Sequence, residues 1–248
     1  MTGAAGRRSV GVTGARPLAL ARAWADRGPV PLIAALDHVL GALCPADCPA
    51  TLVAGLAMGA DQLAIAALRN RNHAGARWQV HAVLPVPAPP FIALALDDYR
   101  IAHGPLDTPA TRHAFIAHWQ AVLAQVERMT VLPAVWRPAP TPIAKPPDWL
   151  IPALTDAFGP FDPLPTGPVT LDYGPAGAAI LDRSDMLLAV WDGSPSRGPG
   201  GTADMVTQAR LRGMPVMIID PATGQSDLTV SEILQLSNWD RSGDLNGA

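Results

Sequence analysis

The sequence holds two cysteines in 248 residues, Cys44 and Cys48 in the stretch CPADC. A structural zinc site draws its ligands from two such pairs, or from a pair with histidines beside it. Neither partner set is present, so the two read as loop thiols in a reducing compartment and no metal site is expected. Excess charge is lacking too: 18 Lys and Arg stand against 21 Asp and Glu, a formal net charge of -3. A chain of that balance exerts no general pull on nucleic acid or an anionic membrane, so any anion site has to be local. No run approaches the roughly 18 apolar residues of a membrane span, and no apolar stretch of signal length follows Arg7 and Arg8. A soluble, cytoplasmic protein with no membrane partner is expected. Two phosphate-binding patterns are also missing, the lysine-bearing loop G-x-x-x-x-G-K-[ST] and the G-x-G-x-x-G fingerprint with its following acid. Their absence removes support for standard triphosphate hydrolysis and dinucleotide-dependent redox chemistry, and no cofactor is expected.

What is present is an alternation of short apolar runs with helix-like patterns, the signature of a parallel sheet with helices on its faces. SVGVTG, ATLVAG and WQVHAVLPV read as the first three strands. PLIAALDHVLGAL and GADQLAIAALRNR read as helices between them, the second with Leu63, Ala64, Ala67 and Leu68 on one face. From about residue 85 to 172 the pattern breaks. PATRHAFIAHWQAVLAQVERM predicts one long helix with Pro109 in its first turn. Prolines then recur so often that no regular structure is expected, and the segment reads as an insertion draped over one edge of the sheet. After it, GPAGAAIL predicts a helix, Met186 to Trp191 a strand, GGTADMVTQARL a helix stopped by Gly213, MPVMIID a strand and SDLTVSEILQL a short closing helix. The expected organisation is one domain over 1–248 with an insertion at about 85–172 and a frayed tail from about 238.

Three glycine corners stand at strand ends: GVTGARP with Gly14, VAGLAMGADQ with Gly55 and Gly59, and WDGSPSRGPGGTAD with Gly193, Gly200 and Gly201. In an open parallel sheet ligands bind outside the carboxyl ends of the strands. Glycine lets backbone approach a phosphate, and a helix start behind it offers unpaired amides and partial positive charge. Converging corners therefore predict an anion pocket.

Read in order, GVTGARP, VAGLAMGADQLAIAAL and SDMLLAVWDGSPSRGPGGTADMVTQARLRGMPV resemble the SLOG superfamily, named for the Smf (DNA-processing protein A) and lonely-guy families. The middle segment is similar to the SGLARGID stretch of the DNA-processing proteins, and the last to the P-G-G-x-G-T-x-x-E segment of the lonely-guy phosphoribohydrolases. The resemblance implies a Rossmann-like three-layer fold, often homodimeric, that binds a nucleotide or nucleotide-derived molecule at Gly200, Gly201 and Thr202. It also implies service beside an effector protein. Thr202 either donates its hydroxyl to the ligand or caps the helix.

Members that cleave an N-glycosidic bond carry a glutamate three residues after the threonine. This sequence has Met205 there, and Asp204 sits one residue earlier, turned by about 100° on a helix. Those members also carry an upstream arginine that YGPAGAAIL lacks. Binding or sensing is therefore the expected function. The alternative is an N-glycosidic enzyme of phosphoribohydrolase or nucleoside deoxyribosyltransferase type, with Asp192 or Asp204 as the carboxylate acting on the sugar. DNA handling rests on GLAMGAD alone.

The other candidates are Arg16, as a phosphate partner or a surface arginine, and Asp61, which opens the second helix and either reaches the ligand or complements the helix dipole. Trp191 stacks on a base or packs in the core, and Arg197 lies in the last loop. Arg183 reads as a solvated charge, Tyr99 and Tyr173 as walls of the pocket. His113 and His118, five apart, read as helix-surface residues rather than metal ligands.

Overall fold

The computed structural model describes residues 8–43, 49–73, 77–141, 143–196 and 198–236. Cys44, Cys48, Arg197 and the tail from about 238 lie outside them. Six strands form one parallel sheet: β1 (Arg8–Gly14), β2 (Ala50–Ala54), β3 (Trp78–Leu84), β4 (Arg128–Val131), β7 (Met186–Val190) and β8 (Val216–Ile219). Their order is β4-β3-β2-β1-β7-β8. Every neighbouring pair is parallel. The chain starts in the middle, builds outward to β4, then returns to β7 on the other side of β1. Connections leaving β1 and β7 therefore diverge, and this divergence is the topological switch point at which open α/β sheets take ligands.

The sheet is buried on both faces, as parallel sheets with crossover helices are. Strand alternation sorts the side chains into two clusters. Val10, Val12, Leu52, Ala54, Leu188 and Val190 face the layer of α2 (Val30–Leu43) and α3 (Ala60–His73). Val53, Val83, Leu187 and Ala189 face α8 (Gly174–Leu181) and α9 (Thr202–Leu211). Small residues let α8 lie close to the sheet and to α9. A side chain on Gly11 would strike Ser184 and Ile180, and one on Gly177 would meet the Gly200 backbone and Met205. With α10 (Val230–Leu236) packed on α2, the molecule is a Rossmann-like three-layer α/β fold. Among the described residues no helix is long and apolar enough to cross a membrane.

The insertion at about 85–172 contains the expected long helix and several elements besides. In the proline-rich run, where no regular structure was expected, it holds α7 (Leu150–Phe158) and an antiparallel pair, β5 (Trp136–Pro138) with β6 (Val169–Leu171), and before that run α4 (Ala88–Leu94), α5 (Leu96–His103) and α6 (Pro109–Leu123). Its prolines are placed where helices tolerate them. Pro89 and Pro90 sit in the first turn of α4 and Pro152 in the first turn of α7, where backbone N–H groups have no intrahelical acceptor to lose. Leu150 and Leu154, four apart, bury one face of α7. The predicted long helix is also corrected. It ends at Leu123, because the chain turns and the Glu127 carboxylate accepts the Val80 amide at 2.6 Å, which delivers Arg128–Val131 to the sheet edge as β4. A further short helix, α1 (Pro17–Ala23), follows the first glycine corner.

Candidate functional site

The three glycine corners meet around a cavity of about 380 Å³ at the carboxyl ends of β1, β2, β3 and β7. Two of the glycines, Gly14 and Gly59, serve the approach of one corner to another, and Gly200 serves the approach of its corner to α8. A Cβ on Gly14 would clash with Ala60 and Val190. Gly59 has φ +106°, and a side chain there would strike the Ala15 carbonyl, which accepts the Ala60 amide at 3.1 Å. Gly200 has φ +74° and presses on the Tyr173 carbonyl at the start of α8. Gly193, φ +81°, meets nothing within 4 Å. Gly55 lies beside the Asp61 carboxylate and lines the cavity.

The last corner delivers α9. Its N-cap is Gly201, which has no side chain to cap with, so the capping reading of Thr202 is set aside: Thr202 is the first helical residue and lines the cavity. The Gly200 amide donates to Asp204 Oδ2 at 2.8 Å and the Gly201 amide to the Gly198 carbonyl at 3.2 Å. The amides of Thr202, Ala203 and Asp204 have no acceptor among the described residues, and Thr202 and Ala203 line the cavity. A ten-residue helix thus points its open end into the pocket.

Asp61 stands on the opposite side, in the first turn of α3 and 5% exposed. Its Oδ2 accepts the amides of Gly55 at 3.1 Å and Ala57 at 3.2 Å. Between them Leu56 has φ +58°, the left-handed region that a leucine rarely enters, and Gln62 holds its carbonyl at 3.1 Å. Burial pushes the Asp61 carboxyl up to about 6, against the opposing pull of Arg16 and of the Ala57 and Gly55 amides.

Arg16 lines the same cavity, but its Nη1 is bound to Asp98 Oδ2 on α5 at 2.6 Å and the guanidinium lies 5.7 Å from the Tyr173 ring centre. Burial works against its charge, yet the neighbouring Tyr173, Asp98 and Asp61 outweigh it and raise its pKa. An acid from the insertion therefore holds one of the residues that line the cavity, a link the sequence reading missed because nothing local marks Asp98. Trp191 is half-buried, and its indole N–H donates to the Ser194 carbonyl at 2.9 Å. Asp192 is exposed at the cavity and accepts the Ser194 amide at 2.9 Å.

Asp204 is bound into the turn before its helix and does not line the cavity. Met205, at the glutamate position of the glycosidases, is 3% exposed and packed between α8 and α9. Of the two tyrosines, Tyr173 lines the pocket, whereas Tyr99 is buried elsewhere, stacked on His103 with ring centres 4.1 Å apart. Arg183 is exposed and donates to the Ala179 carbonyl. His113 is exposed, but His118 is not a surface residue: it lies against Tyr99, His103 and Trp119, and its Nε2 is 2.8 Å from Gln62 Oε1. Among the described residues no three His, Cys, Asp or Glu side chains gather to hold a metal ion. No protein-family model and no curated protein matches the chain.

Proposed function

We propose that the chain binds or senses a nucleotide-type small molecule, with the phosphate at the start of α9. The observation that carries this reading is the set of unpaired amides at Thr202, Ala203 and Asp204, two of whose residues line a 380 Å³ cavity at the switch point. The SLOG resemblance supports the same ligand class. It also supports a cytoplasmic protein that works as a homo-oligomer and passes its state to an effector protein. Binding without turnover is favoured because Asp204 is occupied by the Gly200 amide and Met205 stands where the glycosidases carry their glutamate. The enzyme reading would then rest on Asp192 alone.

Thr202→Pro tests this directly. Gly201 has φ -74° and ψ 164°, an extended conformation that suits the residue before a proline, and a proline at the first helical position costs no helical hydrogen bond. The variant should fold with nearly unchanged thermal stability but lack one amide donor. Its affinity for nucleoside monophosphates is expected to fall by about tenfold, the weight of one hydrogen bond to a charged group. Calorimetric titration with AMP, GMP, CMP and UMP is the measurement. Wild type that binds none of them, or a proline variant that binds as well as wild type, overturns the reading. Release of free base on chromatography would replace it with the enzyme.

A further inference from the structure

The nucleotide site has two polar poles and one apolar end, and their order along the sheet is fixed. The open amides of α9 follow β7. Asp61 follows β2, on the far side of β1. Val83 and Pro85 at the end of β3, with Phe91 of α4, form the wall beyond Asp61. Neighbouring strands lie about 4.8 Å apart, so the two polar poles are separated by on the order of 10 Å and the apolar wall begins one strand further on. A sugar phosphate bridges the first interval, and a flat base meets the second. The cavity volume of about 380 Å³ sits near the lower end of small-molecule sites, about 300–1,000 Å³. It accommodates one such unit rather than two joined through a pyrophosphate.

Asp61 is the group at the middle position. Its Oδ2 accepts the amides of Gly55 and Ala57, and its own backbone amide also supports the carboxylate. The helix dipole and these amides explain why a carboxylate is tolerated there. Asp61 is 5% exposed and lines the cavity, where its carboxylate can accept from a donor on the ligand.

Resting on the nucleotide reading above, we infer that Asp61 selects ribonucleoside monophosphates, its carboxylate accepting from the ribose hydroxyls while the phosphate lies at α9 and the base against Val83, Pro85 and Phe91. Asp61 is thus a specificity-determining residue, distinct from the amides that supply the anion site. A site that receives a hydroxyl discriminates against the ligand that lacks it, because that charge-assisted hydrogen bond is then not made.

The test compares AMP, 2′-deoxy-AMP and 3′-deoxy-AMP by calorimetric titration against wild type and Asp61→Asn. The asparagine retains an oxygen for the Gly55 and Ala57 amides but turns an NH₂ group toward the cavity. Wild type is expected to bind AMP at least tenfold more tightly than one or both deoxynucleotides. In Asp61→Asn the AMP affinity should drop to the deoxynucleotide level, so the preference disappears. Should that variant not fold, Asp61→Glu, which keeps the charge but displaces it by one methylene, is expected to lose the preference in the same way. Equal affinity of wild type for all three overturns the selection while leaving nucleotide binding in place. So does an equal loss for all three in the variant, which would mean that Asp61 acts only by holding the loop around Leu56. Failure of wild type to bind any of the three overturns the nucleotide reading itself.

Discussion

Replacing Gly200 by alanine is expected to lower stability by about 3 kcal/mol and to abolish nucleotide binding, while the same change at Gly193 should cost only about 1 kcal/mol. Both glycines have positive φ, +74° and +81°, a conformation that penalises an L side chain by roughly 1–2 kcal/mol. They differ in surroundings. A Cβ at Gly193 enters open space, whereas at Gly200 it drives into the Tyr173 carbonyl and the Gly174 backbone. Overpacking against backbone adds roughly 1–3 kcal/mol, because backbone cannot turn away as a flexible side chain does. The clash lies between the start of α8 and the turn that leads into α9, so relieving it means moving the start of α9 and with it the amides of Thr202 and Ala203. Urea unfolding gives the stability and titration with AMP the binding. Comparable small losses at both positions would show that the approach of α8 to α9 is not tight, and the geometry assigned to the anion site would fail with it.

The same contrast explains what the sequence could and could not reveal. The glycine corners were legible as corners, since strand ends followed by helix starts follow from the alternation of patterns. Their purpose was not. Gly14 and Gly59 admit atoms of another corner and Gly200 the start of α8, not a ligand, and that partner is remote in sequence: Val190 for Gly14, Ala15 for Gly59, Tyr173 for Gly200. Short-range reasoning sees that a glycine is required but not what it makes room for. The same limit hid Asp98, which reaches Arg16 across 82 positions, and the environment of His118, which is set by Gln62 on a different helix. The middle segment failed for another reason. The prolines after α6 were counted as breakers, whereas Pro152 among them occupies a first turn, as Pro89 and Pro90 do in α4, and the position of a proline within a helix decides whether it breaks or begins one. The central sheet, by contrast, was readable because its apolar runs carry their own signal. Asp61 was legible by its place at a helix start, whereas its position on the cavity wall depends on the approach of three remote corners.

Two titratable groups, the buried Asp61 and the half-buried His118, should give the protein a stability profile in acid that single substitutions split into opposite slopes. Asp61, ordinarily near 3.8, is pushed up to about 6, chiefly by burial and against the pull of Arg16. The folded state then binds a proton more readily than the unfolded chain, so this group's contribution falls as pH rises from about 4 through 6. His118, ordinarily near 6.5, is pushed down to about 4 by burial and, secondarily, by the charge of His103. Here the unfolded chain binds the proton more readily, so the contribution is fully present above about 6.5 and is lost as pH falls toward 4. The two windows overlap and the signs oppose, so wild type should change little on their account between pH 4 and 6.5. Asp61→Asn removes the first contribution. Its stability should rise with pH across that window relative to wild type and exceed wild type at pH 7.5 by on the order of 1–3 kcal/mol, which is several degrees in Tm. His118→Gln removes the second, and its stability should decline with pH over the same window relative to wild type, whatever its absolute value. Thermal unfolding followed by circular dichroism from pH 4 to 7.5 reads both slopes. An Asp61→Asn variant less stable than wild type at pH 7.5 would mean that the carboxylate is retained as a scaffold for the Leu56 loop. A more stable one would mean that the fold carries a buried charge against its own stability, as expected of a residue kept for what it binds.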